Sequence, residues 1–298
     1  MKILLTGANG FLGSNIYKTL SQQNEIYKLS RNNSNYNHNL EFEVPVFDQK
    51  FDLIIHAAGK AHSIPRNDLE TKAFYNINVK GTLNLLDGIS KLQFPKQFVY
   101  ISSVSVYGLI IGDNINEDAP LLAEDPYGKS KIESELIVKE WCYKRNIICT
   151  ILRLPLIVGE NPPGNLGDMV RGIKKGYYFN IAGGNVKKSM VLASDISKYI
   201  LPAAFVGGIY NLTDGKHPTF KQLSKNIAKK FSKPFVINMP FFLAKLLAKI
   251  GDLFSDSAPF NSKKLTKITS TLTFDDSKAR INFGWNPMPV LNGNNISI

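Results

Sequence analysis

Tyr127 and Lys131, four residues apart, are the side chains of this 298-residue chain best suited to move a proton at neutral pH. Pro126 favours the first turn of a helix and residues 127–145 have a helical composition, which places both side chains on one helix face. An ammonium group beside a phenol favours the phenolate and lowers its pKa from about 10 toward neutrality. The pair therefore predicts a general acid or base, although the same spacing also occurs in solvent-exposed pairs without a catalytic role.

Serine hydroxyls precede this pair at the end of a short apolar stretch. Residues 98–103 are apolar, β-branched and aromatic, which indicates a buried strand. Ser102, Ser103 and Ser105 stand at or just beyond its end. A hydroxyl in this position can donate a hydrogen bond to the oxygen atom that exchanges a proton with Tyr127, so these serines are the candidates for a third catalytic residue.

Three glycines near the start of the chain lie in the sequence TGANGFLG, between an apolar strand at residues 2–6 and a predicted helix at residues 14–23. Strand, glycine turn and helix in this order are the context that a dinucleotide-binding motif requires. Gly7 permits a tight turn, Gly10 lets the backbone approach a pyrophosphate, and Gly13 allows helix and strand to pack closely. The N-terminus of the helix then faces the phosphates, so the sequence predicts a bound dinucleotide.

The end of the second predicted strand, residues 25–29, indicates which dinucleotide is bound. An acidic residue there would bind the ribose 2′-hydroxyl of NAD, whereas a basic residue accommodates the 2′-phosphate of NADP. Ser30 and Arg31 follow the strand, and no Asp or Glu is present. We therefore expect NADP(H) in preference to NAD(H); the alternative is an arginine that contacts only solvent.

The composition limits the other classes of function. The net charge is +12, but the lysines are scattered in pairs and do not alternate with aromatic residues, so we expect no nucleic-acid partner. Cys142 and Cys149 fit neither a disulfide framework nor a zinc site, and we expect both in the core, with no bound metal. His56 and His62 are expected to pack or to form hydrogen bonds rather than to catalyse.

The start of the chain and its apolar stretches suggest a location. Met1 leads directly into a strand and not into a signal peptide. No apolar stretch reaches the roughly 20 residues that a membrane-spanning helix needs. We therefore expect a cytoplasmic protein without a membrane-spanning segment.

Strands and helices alternate through the first half of the chain, which predicts an α/β fold with a Rossmann-type doubly wound parallel sheet. Further strands are predicted at residues 51–56 and 147–153. The alternation breaks after Gly159, and we expect a smaller C-terminal α/β lobe that binds the substrate. The assigned boundaries are residues 1–158 plus about 190–209 for the dinucleotide-binding domain, and about 159–189 and 210–298 for the substrate lobe.

A mostly apolar helix is predicted within this lobe at residues 241–254, with the sequence FFLAKLLAKIGDLF. Its polar residues, Lys245, Lys249 and Asp252, form a narrow stripe. We expect a helix buried inside the lobe; contact with a membrane surface or with a second subunit is the alternative. A strand at residues 210–213 is also assigned to this lobe.

Three stretches together resemble a known family: TGANGFLG at the start, SSVSVYG followed by PYGKSK, and FDDSKARINFGWNP near the end. They are similar to the extended short-chain dehydrogenase/reductase family, specifically to its sugar-nucleotide epimerases, dehydratases and reductases, over nearly the whole chain. The resemblance implies hydride transfer between a nicotinamide cofactor and a sugar carbon, usually C4. It implies Tyr127 as the acid/base, Lys131 as its pKa-lowering partner and ribose contact, and Ser103 as the hydroxyl that bonds the sugar oxygen, with Ser105 as the second choice.

The resemblance also implies the binding residues. Asn165, in the expected GNLG loop, is similar to an asparagine that holds the nucleotide diphosphate, and Lys188 stands where many members have an arginine on that pyrophosphate. Lys263 or Lys264 is a further candidate for a phosphate contact. The expected substrate contacts are thus Ser103, Ser105, Asn165 and Lys188. The expected cofactor contacts are Gly7, Asn9, Gly10, Phe11, Leu12, Gly13, Ser30, Arg31, Ala57, Ala58, Gly59, Asn78, Ser102, Tyr127, Lys131 and Pro155, of which Asn78 is also expected to bond backbone.

The two residues that directly follow the expected catalytic serine help to decide which reaction of the family to expect. Dehydratases carry Asp-Glu there, whereas this chain has Val104 and Ser105, so we expect no dehydratase activity. Arg31 favours a reductase that consumes NADPH. The resemblance then implies reduction of the 4-keto group of a UDP-linked 4-keto-6-deoxy-N-acetylhexosamine, for bacterial surface polysaccharide synthesis.

Two alternatives stay open. One is a 4-epimerase of UDP-glucose or UDP-GlcNAc that retains its NAD. The other, more remote, is a non-catalytic NADP-sensing regulator, a class that usually lacks the Tyr–Lys pair. Members of the family often dimerise through a four-helix bundle that includes the helix of Tyr127, so a homodimer is expected from the resemblance alone.

Overall fold

The structure is a computed structural model, and it describes residues 1–61, 65, 67–254 and 260–292. His62, for which the sequence predicts a packing role, lies outside these residues.

The long strands form where apolar and β-branched residues cluster, and the central-sheet strands that the sequence predicts lie within two residues of their expected positions; the two-residue edge strand at Tyr36–Asn37 was not predicted. The strand expected at residues 210–213 begins two residues earlier. The strands are β1 (Lys2–Thr6), β2 (Glu25–Ser30), β3 (Tyr36–Asn37), β4 (Leu53–His56), β5 (Gln97–Ser103), β6 (Gly112–Ile115), β7 (Ile148–Leu154), β8 (Leu156–Val158), β9 (Phe179–Ile181), β10 (Met190–Leu192), β11 (Gly208–Asn211), β12 (Ile237–Met239) and β13 (Leu272–Phe274).

The helices lie between these strands in the alternation that the sequence predicts. A π-helical turn at Tyr75–Lys80 separates two of them, and short 3-10 turns occupy Val104–Tyr107 and Ala182–Gly184. The helices are α1 (Phe11–Leu20), α2 (Asp68–Phe74), α3 (Gly81–Ile89), α4 (Pro126–Tyr143), α5 (Gly164–Lys175), α6 (Ala193–Val206), α7 (Phe220–Lys230), α8 (Phe241–Asp252), α9 (Ser262–Thr269) and α10 (Ser277–Phe283).

A seven-stranded sheet in the order β3-β2-β1-β4-β5-β7-β11 is the centre of the described structure. Every neighbouring pair in it is parallel. The order reverses between β1 and β4, which is the switch point at which doubly wound sheets bind ligands. The predicted Rossmann-type α/β fold is therefore confirmed.

The central strands alternate their side chains between two apolar layers, because successive residues of a strand point to opposite faces. Leu5 and Ile55 pack on one face, with α1 and α6. Leu4 and Ile54 pack on the other, with α3 and α4. Both faces are thus covered by helices, as a parallel sheet requires.

A separate apolar cluster fills the smaller part of the chain. Leu166 and Ile173 of α5 pack against Leu223 and Ile227 of α7, together with residues of β8 and β10. One strand assigned to this lobe belongs elsewhere. Tyr210, in β11, pairs with Leu152 of β7 at the end of the central sheet, because the strand is buried and continues that sheet's parallel ladder.

The apolar helix α8 is not buried, contrary to the prediction. Its inward stripe consists of small residues, Ala244, Ala248 and Gly251. Its large apolar side chains face outward, as do those of Leu253 and Phe254 just beyond it. Among the described residues, no helix has the length and apolar character to cross a membrane.

The glycine turn brings the start of α1 against β1 and the loop after β4. Gly7 has φ +69°, and a side chain there would lie 2.7 Å from the backbone nitrogen of Ala58. A Cβ at Gly13 would lie 2.0 Å from the carbonyl oxygen of Gly7. The roles predicted for these two glycines are therefore confirmed. Helix α1 begins at Phe11, three residues before the predicted start, since Gly10 is already its N-cap.

We expect Gly13→Ala to lower the free energy of unfolding by about 1–3 kcal/mol, because the added methyl group meets backbone that cannot move aside. Urea denaturation monitored by circular dichroism measures the change. Gly81→Ala is the matched control, since a Cβ there would make an ordinary contact at 3.5 Å with Leu40. Equal stability of the two variants would contradict the close packing of α1 on the turn.

Candidate active site

Ser103 and Tyr127 are brought together by the end of β5 and the start of α4. Ser103 is the last residue of β5 and Tyr127 the second of α4. Asp125 caps the helix by accepting a hydrogen bond from the backbone N–H of Gly128 at 3.0 Å, and Pro126 fits the first position because it has no N–H to satisfy. The Ser103 side chain is close enough to the Tyr127 phenol to lower its pKa, so the two predicted catalytic groups share one site.

The surroundings of Tyr127 keep its phenol protonated. Burial raises its pKa, the Ser103 side chain opposes this rise, and Asp125 adds to it. The ring packs on Phe74, with the ring centres 6.1 Å apart. We expected Lys131 to lower the pKa of Tyr127 toward neutrality. That expectation is wrong here, because the loss of water around the phenol is the largest effect on its pKa and raises it.

The ammonium group of Lys131 is engaged elsewhere. Its Nζ donates a hydrogen bond to the carbonyl oxygen of Ile101 at 2.6 Å and lies 4.3 Å from the centre of the Tyr100 ring. The side chain is buried, and burial lowers its pKa to about 7 although Glu135 opposes the shift. Lys131 therefore carries only part of a charge at neutral pH, which is one reason why it does not depress the pKa of Tyr127.

Asn78 holds the loop after β4 against α4. Its Oδ1 accepts from the backbone N–H of Lys60 at 2.7 Å, and its Nδ2 donates to the Lys60 carbonyl at 3.1 Å and to Ser130 Oγ at 2.8 Å. Asn78 lies in the π-helical turn, a rare geometry that is frequent at functional sites. The predicted bonding to backbone is confirmed. A side chain at Gly59 would come within 3.1 Å of Asn78 Oδ1 and 3.9 Å of Lys131 Nζ, so glycine lets this loop pass beside the lysine.

The N-terminus of α1 is open toward solvent at the glycine turn. Gly10 occupies the N-cap and contributes no side chain to cap the first backbone N–H groups, a state that suits a bound phosphate. Asn9, Phe11, Glu160 and Asn161 line an open cavity of about 430 Å³ beside this turn. Leu12 is buried in the core, which leaves its backbone as the group able to contact a ligand. Ala57 and Ala58 run alongside Gly7. These residues fit the pyrophosphate of a dinucleotide.

The end of β2 carries a free cation and no carboxylate. The side chain of Asn9 donates to Ser30 Oγ at 2.9 Å and to the carbonyl of Asn32 at 2.8 Å, which fixes this segment to the glycine turn. Arg31 between them is exposed. Residues 30–40 contain no Asp or Glu. Further along the chain, the carboxylate of Asp48 already has a partner, since it accepts a hydrogen bond from the hydroxyl of Tyr36 at 2.5 Å.

A buried ion pair that the sequence analysis missed joins α4 to the central sheet. Arg153 of β7 binds Glu135 of α4 through Nη2 at 2.8 Å and Nε at 3.1 Å, and both side chains are at most 4% exposed. Ser102 donates its hydroxyl proton to Glu135 at 2.5 Å, so only its backbone is left for a cofactor. Two signals could have revealed the pair: an arginine inside a buried strand needs an anionic partner, and Glu135 is one turn beyond Lys131 on the same helix face.

The network continues from Arg153 across the sheet. Its Nη1 donates to the hydroxyl of Tyr107 at 3.1 Å, which in turn donates to Asn211 Oδ1 at 2.8 Å. The backbone N–H of Asn211 donates to Glu117 at 2.7 Å. Buried polar groups from α4, β7 and β11 are thus satisfied by one another, which holds the helix of Tyr127 at a fixed height on the sheet.

The predicted substrate contacts fall into two regions. Ser105 accepts a hydrogen bond from Ser103 at 3.1 Å, beside Tyr127. Asn165 and Lys188 belong to the smaller part of the chain, where Asn165 is exposed in the first turn of α5 rather than in a loop. Burial, with a smaller contribution from the nearby Lys267, lowers the pKa of Lys188 to about 8. Two neighbouring ammonium groups form a place that favours an anion.

The remaining predicted contacts lie at the edges of these regions. Pro155 is half-buried between β7 and β8, at the carboxyl end of the sheet where ligands of such folds bind. Lys263 and Lys264 lie in the first turn of α9. The charge that acts on Lys188 comes from Lys267, one turn further along that helix.

A cavity of about 540 Å³ lies away from these groups, lined by Asp214, Asp276 and Arg280 among others. Its carboxylates already have partners. Asp276 binds Arg280 at 2.7 Å and Thr213 at 3.1 Å, and Asp214 accepts from the backbone N–H of Val290 at 3.0 Å. Across the described ranges no cluster of three His, Cys, Asp or Glu side chains could hold a metal ion. We assign this cavity no chemistry.

A comparison with protein-family models identifies the family to which the glycine turn and the Ser103–Tyr127–Lys131 group belong. The model of the NAD dependent epimerase/dehydratase family matches residues 3–211, which include the glycine turn, the loop after β4 and the Ser103–Tyr127–Lys131 group. The chain belongs to this family. It is therefore an enzyme of the extended short-chain dehydrogenase/reductase type, and the predicted resemblance is confirmed.

Relatives of this family member cover nearly its whole length. The N-acetyl-alpha-D-glucosaminyl-diphospho-ditrans,octacis-undecaprenol 4-epimerase of Escherichia coli O157:H7 is 28% identical over 93% of this chain and 88% of its own. The UDP-glucose 4-epimerase of Vibrio cholerae is 26% identical over 97% and 92%. Two solved structures share the fold. UDP-glucose 4-epimerase of Thermotoga maritima with UDP-glucose has a TM-score of 0.77 at 20% identity, covering 100% of this chain and 97% of its own. RMD of Pseudomonas aeruginosa complexed with NADPH has a TM-score of 0.75 at 18% identity, covering 100% and 98%.

We expect Arg153→Met to lower the free energy of unfolding by about 3–5 kcal/mol, because it leaves the charge of Glu135 buried without its partner. The double variant Glu135→Met/Arg153→Met should recover much of this loss, since it removes both charges. Urea denaturation of the wild type, of these two variants and of Glu135→Met alone completes a double-mutant cycle.

The exposed pair Lys144–Glu140 on the same helix is the control for this cycle, and Lys144→Met should leave stability nearly unchanged. If the Arg153→Met protein were as stable as the wild type, the ion pair would not be what fixes α4.

Proposed function

We propose that the enzyme uses NADPH to reduce the 4-keto group of a UDP-linked 4-keto-6-deoxy-N-acetylhexosamine in bacterial surface polysaccharide synthesis. The observation that carries this proposal is the end of β2. There Arg31 is exposed beside the glycine turn, and residues 30–40 offer no carboxylate to a ribose hydroxyl. This arrangement favours a 2′-phosphate. A preference for NADPH suits net reduction, since an epimerase regenerates its own cofactor in each cycle.

The protonation state of Tyr127 supports the same direction of reaction. A bound nicotinamide cofactor would supply the hydride to the carbonyl carbon. Tyr127, whose pKa is raised by burial, is protonated at neutral pH and can give its proton to the carbonyl oxygen, which completes the reduction to a hydroxyl. Ser103 can donate its one hydroxyl proton in a hydrogen bond to that oxygen, which stabilises the negative charge that develops there before the proton of Tyr127 arrives.

The smaller part of the chain supports a nucleotide diphosphate as the remote half of the substrate. The charge of Lys267 is close enough to help lower the pKa of Lys188, and a diphosphate would relieve the repulsion felt by Lys188. Asn165 is exposed at the N-terminus of α5. The relative named UDP-glucose 4-epimerase, which spans 97% of this chain, makes UDP the nucleotide that we propose.

A 4-epimerase of a UDP-linked hexose or N-acetylhexosamine is the second candidate. The names of the relatives from E. coli and V. cholerae favour it. The same Tyr127 and Ser103 would serve both directions of such a reaction. A non-catalytic sensor is a weaker candidate, because that class usually lacks the Tyr–Lys pair, whereas Tyr127 and Lys131 are both present here.

We expect the purified enzyme to consume NADPH when mixed with a UDP-4-keto-6-deoxy-N-acetylhexosamine, measured as loss of absorbance. Tyr127→Phe should lower the turnover rate by about 100-fold or more, because the proton donor is lost, while NADPH still quenches protein fluorescence. Tyr143→Phe, on the same helix with its side chain 85% exposed, is the control and should react like the wild type.

Other results would point elsewhere. Interconversion of two UDP-hexosamines without added cofactor would support the epimerase and overturn the reductase. Cofactor binding without turnover of either substrate would support the sensor.

We expect Arg31→Ala to raise the KM for NADPH by about tenfold or more, because the variant loses a hydrogen bond to a charged phosphate. The KM for NADH should not change. Steady-state kinetics with both cofactors measure the two values in one protein, so NADH is the internal control. An equal effect on both cofactors would show that Arg31 does not contact a 2′-phosphate.

A further inference from the structure

Helix α8 presents its large apolar side chains to solvent and its small ones to the protein. Ala244, Ala248 and Gly251 form the inward stripe. Gly251 packs so closely that a side chain there would overlap the carbonyl oxygen of Phe260. With about 100° between successive residues, Phe242 and Leu246 lie opposite this stripe, and they are 68% and 57% exposed. The helix is therefore docked by its small residues in a way that leaves a broad apolar surface outside.

This surface extends beyond α8 in both directions. Leu253 and Phe254 follow the helix and are exposed. Ile237 of β12 pairs with Phe179 of β9, and both are exposed. Residues two apart in a strand lie on the same face. Ile237 and Phe179 therefore share a sheet face with Met239 and Ile181, and these two residues pack against α8. We call the exposed apolar residues of α8 and of these neighbouring segments the α8 surface. It is defined by Phe179, Ile237, Phe242, Leu243, Leu246, Leu247, Ile250, Leu253 and Phe254.

The stretch of chain that contains α8 is rich in positive charge. Lys245 and Lys249 lie along one flank of the helix, and both are exposed. Residues 229–269 contain eight lysines and two aspartates, a net charge of +6 and half of the +12 of the whole chain. Of the aspartates, Asp252 is held by the backbone N–H and hydroxyl of Ser262 at 2.9 and 2.6 Å. The apolar arc itself contains no acidic residue.

This combination selects one occupant. Contiguous exposed apolar area of this kind marks an interaction site. A second copy of the chain on the same surface would place these lysines against their own counterparts, which is electrostatically unfavourable. An anionic phospholipid bilayer suits both features. Its acyl chains can contact the apolar side chains of the α8 surface, and its phosphates attract the lysines. We propose that the α8 surface binds the surface of an anionic phospholipid bilayer, with α8 lying in the plane of the interface.

The experiment is vesicle flotation of the full-length protein, so it does not depend on the proposed reaction. Wild type should float with vesicles of phosphatidylglycerol and phosphatidylcholine but much less with phosphatidylcholine alone. The variant Leu246→Glu/Ile250→Glu should lose about tenfold or more in binding, because two charges enter the apolar arc. Ile281→Glu is the matched control, since Ile281 is 82% exposed on α10 and should float like the wild type.

The contribution of charge is tested separately. Lys245→Gln/Lys249→Gln should weaken binding to the anionic vesicles and reduce its dependence on salt, as expected for basic residues at a charged membrane surface. Lys50→Gln/Lys91→Gln, which removes two exposed lysines elsewhere, should leave binding unchanged. Equal effects of the two pairs would mean that net charge alone attracts the protein, and would overturn the proposal.

A fluorescent reporter covers the case in which the glutamate variant fails to fold. The natural tryptophans, Trp141 and Trp285, are buried at 8% and 1% exposure. Phe242→Trp adds an exposed indole whose emission should shift to the blue on anionic vesicles. No shift and no flotation would overturn the proposal. The proposal would also be overturned if analytical ultracentrifugation showed that the wild type is an oligomer and that Leu246→Glu/Ile250→Glu is a monomer. The α8 surface would then bind a second copy of the chain.

Discussion

The buried ion pair between Glu135 and Arg153 is the interaction on which the active site depends. An arginine and a carboxylate deep in the protein are each costly to remove from water, and the pair is stable because its hydrogen bonds are satisfied. Ser102 completes the set on the carboxylate, and Tyr107 extends it from the guanidinium. Since one partner belongs to α4 and the other to β7, the pair fixes the distance between the helix that carries Tyr127 and the sheet edge that carries Ser103.

Burial, more than charge, sets the chemistry of that site. The same removal from water raises the pKa of the Tyr127 phenol and lowers the pKa of Lys131 to about 7, because in each case the charged form is disfavoured. Burial thus favours the uncharged form of both groups. In this arrangement the tyrosine is able to give a proton, and the lysine donates a hydrogen bond to backbone.

The two ends of the molecule follow different packing rules. In the central sheet, large apolar residues of β4 and β5 meet helices on both faces. In the smaller part, α8 is packed by alanine and glycine, and its phenylalanines and leucines face outward. A helix with apolar residues over most of its circumference can be oriented either way, and here the close contact of Gly251 with the Phe260 backbone decides which stripe is inside.

The sequence by itself determined the features that are local in the chain. These include the glycine turn after β1, the Rossmann alternation, the start of α4 at Pro126, and the presence of the serine, tyrosine and lysine, because each depends on spacing or on the conformational limits of glycine and proline. Tertiary structure decided the pKa of Tyr127, the choice of Glu135 as the partner of Arg153, the place of Tyr210 in the central sheet and the outward face of α8. Those depend on which side chains and backbone groups pack together and exclude water, and the spacing of residues along the chain does not specify that packing.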